Sequence, residues 1–527
     1  MSHHYSLGIF YYFHDASACL IRDGQIIAMA EEERFNRKKH SFEFPLNAIN
    51  YCLDTAGIKM SDVNVIGYGF RPMKYLINQI LHAIFRLPTS LNLFKPGASY
   101  MPFGRKIMGL LFVRRTLVKH FGKFKASVKY IDHHLAHANS TFYPSGFEDA
   151  AIFVADGFAE TSATSFFVGG KNGLTKIHEI PLPASLGVFY GTITQFLGFR
   201  PHSDEYKVMG LAAYGKNTYA EQISQILAPG KDALDFKMDE SFIDFYSHGL
   251  NRWYSQKMID LLGPARQYTD SYEQRHYDIA RSAQTVLENT VIEILKRFRK
   301  ITGQKKLCLA GGVAQNVLMN RRILDECGFD EVYVPPVAYD GGISLGSAIG
   351  ATQKLGVPIG RTNKLVNAGF GPDFSDETCL KSIEAQGLTF KNISSDYSEL
   401  VSVLEAGGVV GVFDGRMEVG PRALGRRSIL ADPRDRKMVD ILNARIKRRE
   451  FFRPFAPAIP LEDCPEFFDL EGESYFMTTV AHVKKPELIP AVTHNDGTAR
   501  VQTVTMESNH NFYKLLKAFG KKTGVPV

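Results

Sequence analysis

At 527 residues the chain is too long for one core, because domains run on the order of 100 to 200 residues, and two or more domains are expected. An apolar content of 45% with 45 glycines indicates a folded protein, and six cysteines scattered without a CxxC pair exclude a disulfide framework or a zinc ribbon. No uncharged run approaches the ~20 residues that span a bilayer, and "MSHHYSLGIF" lacks the basic and apolar regions of a signal peptide, so a soluble, cytoplasmic protein is expected.

The first element pattern, "SLGIFYYFHDASACLIRDGQIIAMAEEE", predicts a strand, a polar turn carrying His14 and Asp15, a second strand, an Asp-Gly turn and a third strand. The net charge of +7 is then concentrated in one place. Between Arg71 and Lys125 there are eleven Lys and Arg and no Asp or Glu, which leaves the rest of the chain at −4. Within that segment "MKYLINQILHAIFRL" and "KIMGLLFVRRTLVKHFGKFK" carry apolar residues at helical spacing with cations between them. Two readings fit: amphipathic helices packed on a domain with solvated cations, or helices that meet an anionic lipid surface or polyanion.

Residues 130–140, "YIDHHLAHANS", place three histidines where a strand-like run gives way to a helix-like one. His133 and His137 stand at i and i+4, the spacing that brings two helix side chains over one patch. That spacing serves a metal ion equally with a satisfied, partly buried helix start. The stretch "DAAIFVADGFAETSATSFFVGGKNGLTKIHEI" then repeats the order of the opening meander around Asp156 and Gly157. Two strand, Gly-rich turn, helix units follow, one around Gly311 and Gly312 and one around Gly341 and Gly342. Helix starts of this kind expose unpaired N–H groups to anions, so together with the two meanders they predict a bilobal α/β nucleotide fold. Gly311, Gly312, Gln315 and Asn316 are expected to line the nucleotide, and His14 to orient an acyl intermediate or deprotonate an acceptor hydroxyl as a neutral base.

Past Gly356 the chain loses periodicity and becomes Gly- and Pro-punctuated, as a linker would. Beyond it, residues 414–453 hold twelve Lys and Arg against six Asp and Glu. Pro421 is expected to open a helix with Arg422 and Arg426 on one face, and the cations read as an anion pocket, since guanidinium forks hold phosphate bidentately.

The motifs "HHLAHA", "ADG", "YKVMGLAAYG", "GGVAQN", "DGGISLG", "GRMEVGPRALGRRSILADPR" and "FRPFAPAI" lie in order along nearly the whole chain. In them the sequence resembles the O-carbamoyltransferases of antibiotic and nodulation-factor biosynthesis. The resemblance implies an α/β architecture in two parts. Residues 1–356 form an actin-like ATPase domain, duplicated and similar to tRNA threonylcarbamoyl transferases, with the basic insertion at 71–125. Residues 357–371 link it to a YrdC-like α/β domain over 372–527. Such proteins continue past "FGKKTGVPV" into an "LNTSFN…RGEP"-like segment with a further Arg, so the second domain is expected to be C-terminally incomplete.

The resemblance further implies a metal, commonly ferrous iron, on His133, His137, Asp156 and Asp340. It implies ATP and carbamoyl phosphate as co-substrates, with Arg416, Arg422, Lys447 and Arg500 on phosphate. The activity it implies is formation of carbamoyl adenylate and transfer of the carbamoyl group to a hydroxyl of a small natural-product or sugar acceptor. No nucleic-acid partner is expected. Homo-oligomers, through strand edges near residues 499–527, and contact of 71–125 with a membrane surface remain open. The competing functions are a tRNA threonylcarbamoyl transferase-like enzyme, an actin-like sugar kinase and a non-catalytic, partner-binding remnant.

Overall fold

The computed structural model describes residues 3–99, 108–231, 234–359, 363–393 and 396–527. The chain divides into two compact units, Met1–Leu365 and Val366–Val527. The division falls inside the 357–371 segment read as a linker. Leu365 still bonds to Pro144 of the first unit, while Gly369 and Gly371 pair with residues 416–418 of the second.

In the first unit, β1 (Tyr5–Phe10), β2 (Ser17–Arg22) and β3 (Gln25–Glu31) form the expected meander. Asp23 and Gly24 make the two-residue turn between β2 and β3 with both φ angles positive, the geometry that matches strand twist. Strands β4 (Val65–Tyr68) and β5 (Ser127–Tyr130) then add parallel to β1, giving the order β3-β2-β1-β4-β5. The basic segment lies between them. It contains helices α1 (Pro72–Phe85) and α2 (Val113–Phe121), and residues 100–107 of it lie outside the described residues.

The second sheet repeats the first. Strands β6 (Ala150–Ala155), β7 (Ser162–Gly170) and β8 (Gly173–Pro181) form an antiparallel meander, and β9 (Lys306–Ala310) and β10 (Glu331–Tyr333) add parallel to β6. The order β8-β7-β6-β9-β10 is that of the first sheet, step for step. Each half ends in a helix that packs across onto the other. Helix α3 (His133–Phe142) follows β5 but lies against β6 and β9, and α6 (Ile343–Lys354) follows β10 but lies against β1, β4 and β2. Between them in sequence run α4 (Gln274–Thr302), whose apolar stripe is buried from Ile279 to Phe298, and α5 (Val317–Glu326). Duplicated meander-plus-two-parallel sheets with crossing helices are the actin-like ATPase plan that the resemblance implied.

The second unit is also α/β, but its strands form three small sheets. Strand β11 (Val410–Phe413) pairs antiparallel with β12 (Arg427–Leu430), and β13 (Ala458–Pro460) pairs parallel with β17 (Gln502–Val504). Strands β14 (Phe468–Asp469), β15 (Ala481–Val483) and β16 (Thr498–Ala499) make the third. Helices α7 (Ser398–Glu405) and α8 (His510–Thr523) bury Val401, Leu404, Phe512, Leu515, Leu516 and Phe519 in one apolar cluster. Pro421 does not open a helix. Residues 419–426 instead wrap around the buried carboxylate of Glu418, which accepts the N–H groups of Leu424, Arg426 and Arg427 at 2.7, 2.8 and 3.2 Å. Three charge-assisted bonds to one carboxylate outweigh the helix-starting preference of a single proline.

Candidate metal centre and anion sites

The crossing of α3 and α6 builds the first site. Asp132 caps α3 by accepting the Leu135 N–H, which fixes His133 in the first turn and His137 one turn later. Asp156 directly follows β6, and Asp340 begins a short turn that leads into α6. The two helices approach backbone to backbone at Gly346, where an added Cβ would stand 1.7 Å from the Ala136 carbonyl oxygen. Any larger residue there would hold the helices, and the side chains they carry, apart. As a result, one ligand atom from each of His133, His137, Asp156 and Asp340 lies within 4.8 Å of the others. His137 Nε2 is 2.9 Å from Asp156 Oδ2 and 3.4 Å from Asp340 Oδ1, and His133 Nε2 is 3.4 Å from each.

The surroundings hold this set in place. The His133 Nδ1–H donates to the Gly69 carbonyl at 3.3 Å, which turns the Nε2 lone pair toward the carboxylates. Phe10 and Phe70 pack against its ring. The Glu160 carboxylate accepts the N–H groups of His133 at 3.1 Å and Arg71 at 2.8 Å, and burial pushes its pKa up to about 7. Burial also opposes charge on His133 and Asp156, but their mutual attraction, with Asp340, wins: the His133 pKa is raised well above 6.5 and that of Asp156 falls well below 3.8. The two carboxylates draw positive charge into the set, either a proton on His133 or a cation to which neutral imidazoles present their Nε2 lone pairs. A divalent cation fits that demand, and two imidazoles with two carboxylates suit an ion of intermediate softness. His134 bonds to the Ser165 hydroxyl at 2.7 Å, and burial drives its pKa down to about 3.

A second cluster occupies the equivalent turn of the first meander. His14 Nδ1 lies 2.5 Å from Asp15 Oδ2, and His40 Nδ1 lies 2.9 Å from Asp15 Oδ1, with the imidazoles stacked at 4.3 Å. Burial works against protonation of His14, yet the Asp15 charge and hydrogen bond raise its pKa to about 9. The expected neutral base is therefore an imidazolium at pH 7, suited to donating a hydrogen bond. His40, in "NRKKHSFEF", sits in no motif, and only the fold brings it to Asp15.

The glycine turn after β9 is placed beside the cation set, with tasks different from those expected. Gly311 has φ 89, its Cβ would stand 2.1 Å from the Ala155 oxygen, and its N–H donates to Ala338. Its role is close packing rather than phosphate binding. The Gly312 N–H points to Asp156 Oδ1 at 3.3 Å and Gln315 is half-buried. Asn316 is committed at both ends of its amide: Oδ1 caps α5 at Met319, and the amide pairs doubly with Gln284 at 2.8 and 2.9 Å. That exchange, not a nucleotide contact, accounts for Asn316.

In the second unit Arg500 is half-buried, and its pKa is lowered well below the usual guanidinium value by desolvation and then by Arg422, Arg449 and Arg453. The positive charge that Arg422, Arg449 and Arg453 bring to bear on Arg500 suits a phosphate-like group. Arg449 belongs to the cationic run that the sequence marks beside Lys447, whereas Arg453 lies in "FRPFAPAI" with no role marked for it in the sequence. Arg416 donates to the Phe370 carbonyl at 2.7 Å and the Gly371 carbonyl at 3.5 Å. Lys447 is exposed at the end of a π-helical turn, Ile441–Lys447.

Comparison with known proteins agrees with this division. The family model described as carbamoyltransferase N-terminus matches residues 5–352, and that described as carbamoyltransferase C-terminus matches 401–527. Nodulation protein NolNO of Sinorhizobium fredii is 36% identical over 98% of this chain and 73% of its own length. Nodulation protein NolO of Bradyrhizobium diazoefficiens is 36% identical over 75% of the chain and 71% of its own. An uncharacterized Synechocystis protein is 36% identical over 99% of the chain and 90% of its own. Among solved structures, component A of (R)-2-hydroxyglutaryl-CoA dehydratase from Acidaminococcus fermentans aligns with TM-score 0.36 at 14% identity over 67% of this chain and 99% of that one. HypF of T. kodakarensis aligns with TM-score 0.35 at 11% identity over 67% and 48%. With both family domains matched in order across most of its length, the chain belongs to the carbamoyltransferase family and is a carbamoyltransferase enzyme.

Proposed function

We propose that this carbamoyltransferase is ATP-dependent and transfers its carbamoyl group to a hydroxyl through carbamoyl adenylate. The observation that supports the reading is the convergence of four side chains able to ligate a cation, His133, His137, Asp156 and Asp340, in the first unit, together with the positive charge of Arg422, Arg449 and Arg453 acting on Arg500 in the second. In the second unit Arg422, Arg449, Arg453 and Arg500 bind the phosphate of carbamoyl phosphate and stabilise it as it leaves on hydrolysis to carbamate. The carbamate oxygen then attacks the α-phosphorus of ATP, forming carbamoyl adenylate and releasing pyrophosphate. In the first unit an acceptor hydroxyl attacks the carbamoyl carbon, the bond to AMP breaks, and the hydroxyl proton passes to the phosphate oxygen of the departing AMP and from there to water.

His133, His137, Asp156 and Asp340 would hold a divalent cation, ferrous iron being the choice the resemblance implies. When bound, such an ion polarises acyl and phosphate oxygens as a Lewis acid. Imidazolium His14, held by Asp15, donates to an anionic oxygen of the adenylate and orients it. The acceptor is a small natural product or sugar.

The decisive test is the nucleotide product. Purified protein with ATP, carbamoyl phosphate and a panel of hydroxyl acceptors is expected to release AMP and pyrophosphate, and ADP would replace the proposal with a kinase. Salt-sensitive tRNA binding would favour a threonylcarbamoyl transferase, and the absence of any ATP turnover a binding protein. Elemental analysis for about one divalent ion per chain tests the cation set.

A further inference from the structure

Outside the two sites, the segment without acidic residues, 71–125, carries two exposed helical faces. Helix α1 turns one face inward: Tyr75 is buried and Leu76 packs on the core, Asn78 donates to the Glu160 carbonyl at 3.1 Å, and His82 Nε2 bonds to the Tyr246 carbonyl at 2.7 Å. With the helix thus fixed, Met73, Ile77, Ile80, Leu81 and Ile84 form a continuous stripe on the other face, spaced four, three, one and three residues apart, and all are exposed. At and beyond the end of the helix Phe85 is 83% exposed and Phe94 70% exposed. A patch of this kind marks an interaction site, since single scattered apolar residues are ordinary but a helical stripe of them is not.

The chain leading into α2 shows a second such face. Met108, Phe112, Arg115 and Lys119 recur at helical spacing and are all exposed, apolar at one end and cationic at the other. Among the described residues, exposed Lys95, Arg115, Lys119, Lys123 and Lys125 make no ion pair. Arg114 is different, tied by its guanidinium to the carbonyls of Ala126 at 2.6 Å and Phe124 at 2.9 Å.

We infer that this segment is a docking surface for an anionic lipid interface. Large apolar side chains enter the boundary between headgroups and acyl chains, and the cations beside them meet lipid phosphates. Charge decides among occupants. Lys74 and Arg86 are paired with Asp132 and Glu240, but a second copy of the chain would bring the same unpaired Lys95, Arg115, Lys119, Lys123 and Lys125 against this surface in a two-fold contact, and like charges would oppose it. An anionic interface supplies both the apolar medium and the missing negative charge.

The test is vesicle co-sedimentation of the full chain, with vesicles of pure phosphatidylcholine and of phosphatidylcholine with about 30% phosphatidylglycerol. Binding to the anionic vesicles only, weakened in about 0.5 M salt, is expected. Ile77→Glu combined with Ile84→Glu should weaken it about tenfold or more, and Arg115→Gln combined with Lys119→Gln about severalfold, with circular dichroism unchanged. No binding, equal binding to both vesicle types, or binding that neither double variant changes would overturn the inference. A concentration-dependent dimer dispersed by the glutamate pair, without vesicle binding, would assign the face to a second copy instead.

Discussion

Replacing Asp15 with Asn isolates the electrostatics of the His14 turn. Asp15 has φ 51, a left-handed conformation that Asn adopts about as readily, so the backbone should stay in place while the charge disappears. In the native chain Asp15 lies 2.5 Å from His14 Nδ1 and raises its pKa from 6.5 to about 9. The His14 side chain is only 22% exposed. At about 1.4 kcal/mol per decade, and with some solvent screening, the interaction is worth about 2 to 3 kcal/mol.

The sign follows from the direction of the shift. His14 has a raised folded-state pKa, so its contribution is complete below 6.5 and is lost as pH rises through about 9. In Asp15→Asn burial becomes the leading influence, and His14 should titrate below neutrality. NMR titration of the imidazole carbons, with denaturant melts at pH 6 and pH 9.5, reads both quantities. A native His14 that titrates at or below 6.5, or a stability gap between the two proteins that does not narrow as pH rises, would refute the reasoning.

Gly346→Ala should destabilise the first unit by about 1 to 3 kcal/mol, since the new methyl would overlap the Ala136 carbonyl oxygen, and should lower bound metal as the helices separate. Thermal melts and elemental analysis read the two effects. Glu418→Ala leaves three inward N–H groups without their acceptor and should cost about 3 to 5 kcal/mol in the second unit, measured by urea unfolding. Arg500→Met should relieve guanidinium repulsion, leaving the fold as stable as before or more so, while weakening carbamoyl phosphate binding about 100-fold by calorimetry. Equal binding by Arg500→Met would remove the anion site from the second unit.

Much of the fold was legible because its signals are local. The Asp23-Gly24 turn, the repeated meanders and the two glycine turns each lie within one short stretch, where period and turn chemistry act directly. His133 and His137 could be paired by spacing alone, but Asp156 and Asp340 reached the same set only through family resemblance. Local signals failed where a distant partner prevailed. Pro421 yields to the Glu418 carboxylate, and Asn316 is taken up by Gln284. Neither of those partners is marked by spacing.

The sequence by itself determined the duplicated strand order, the helix that presents two imidazoles together, and the concentration of cations in residues 71–125. Tertiary structure alone decided which charges act on one another. It set Asp15 between His14 and His40, gathered Arg500 with three other arginines, and turned the apolar stripe of α1 outward. Periodicity records which side chains share a face, whereas electrostatic shifts and exposure depend on distances across the fold, which no local pattern encodes.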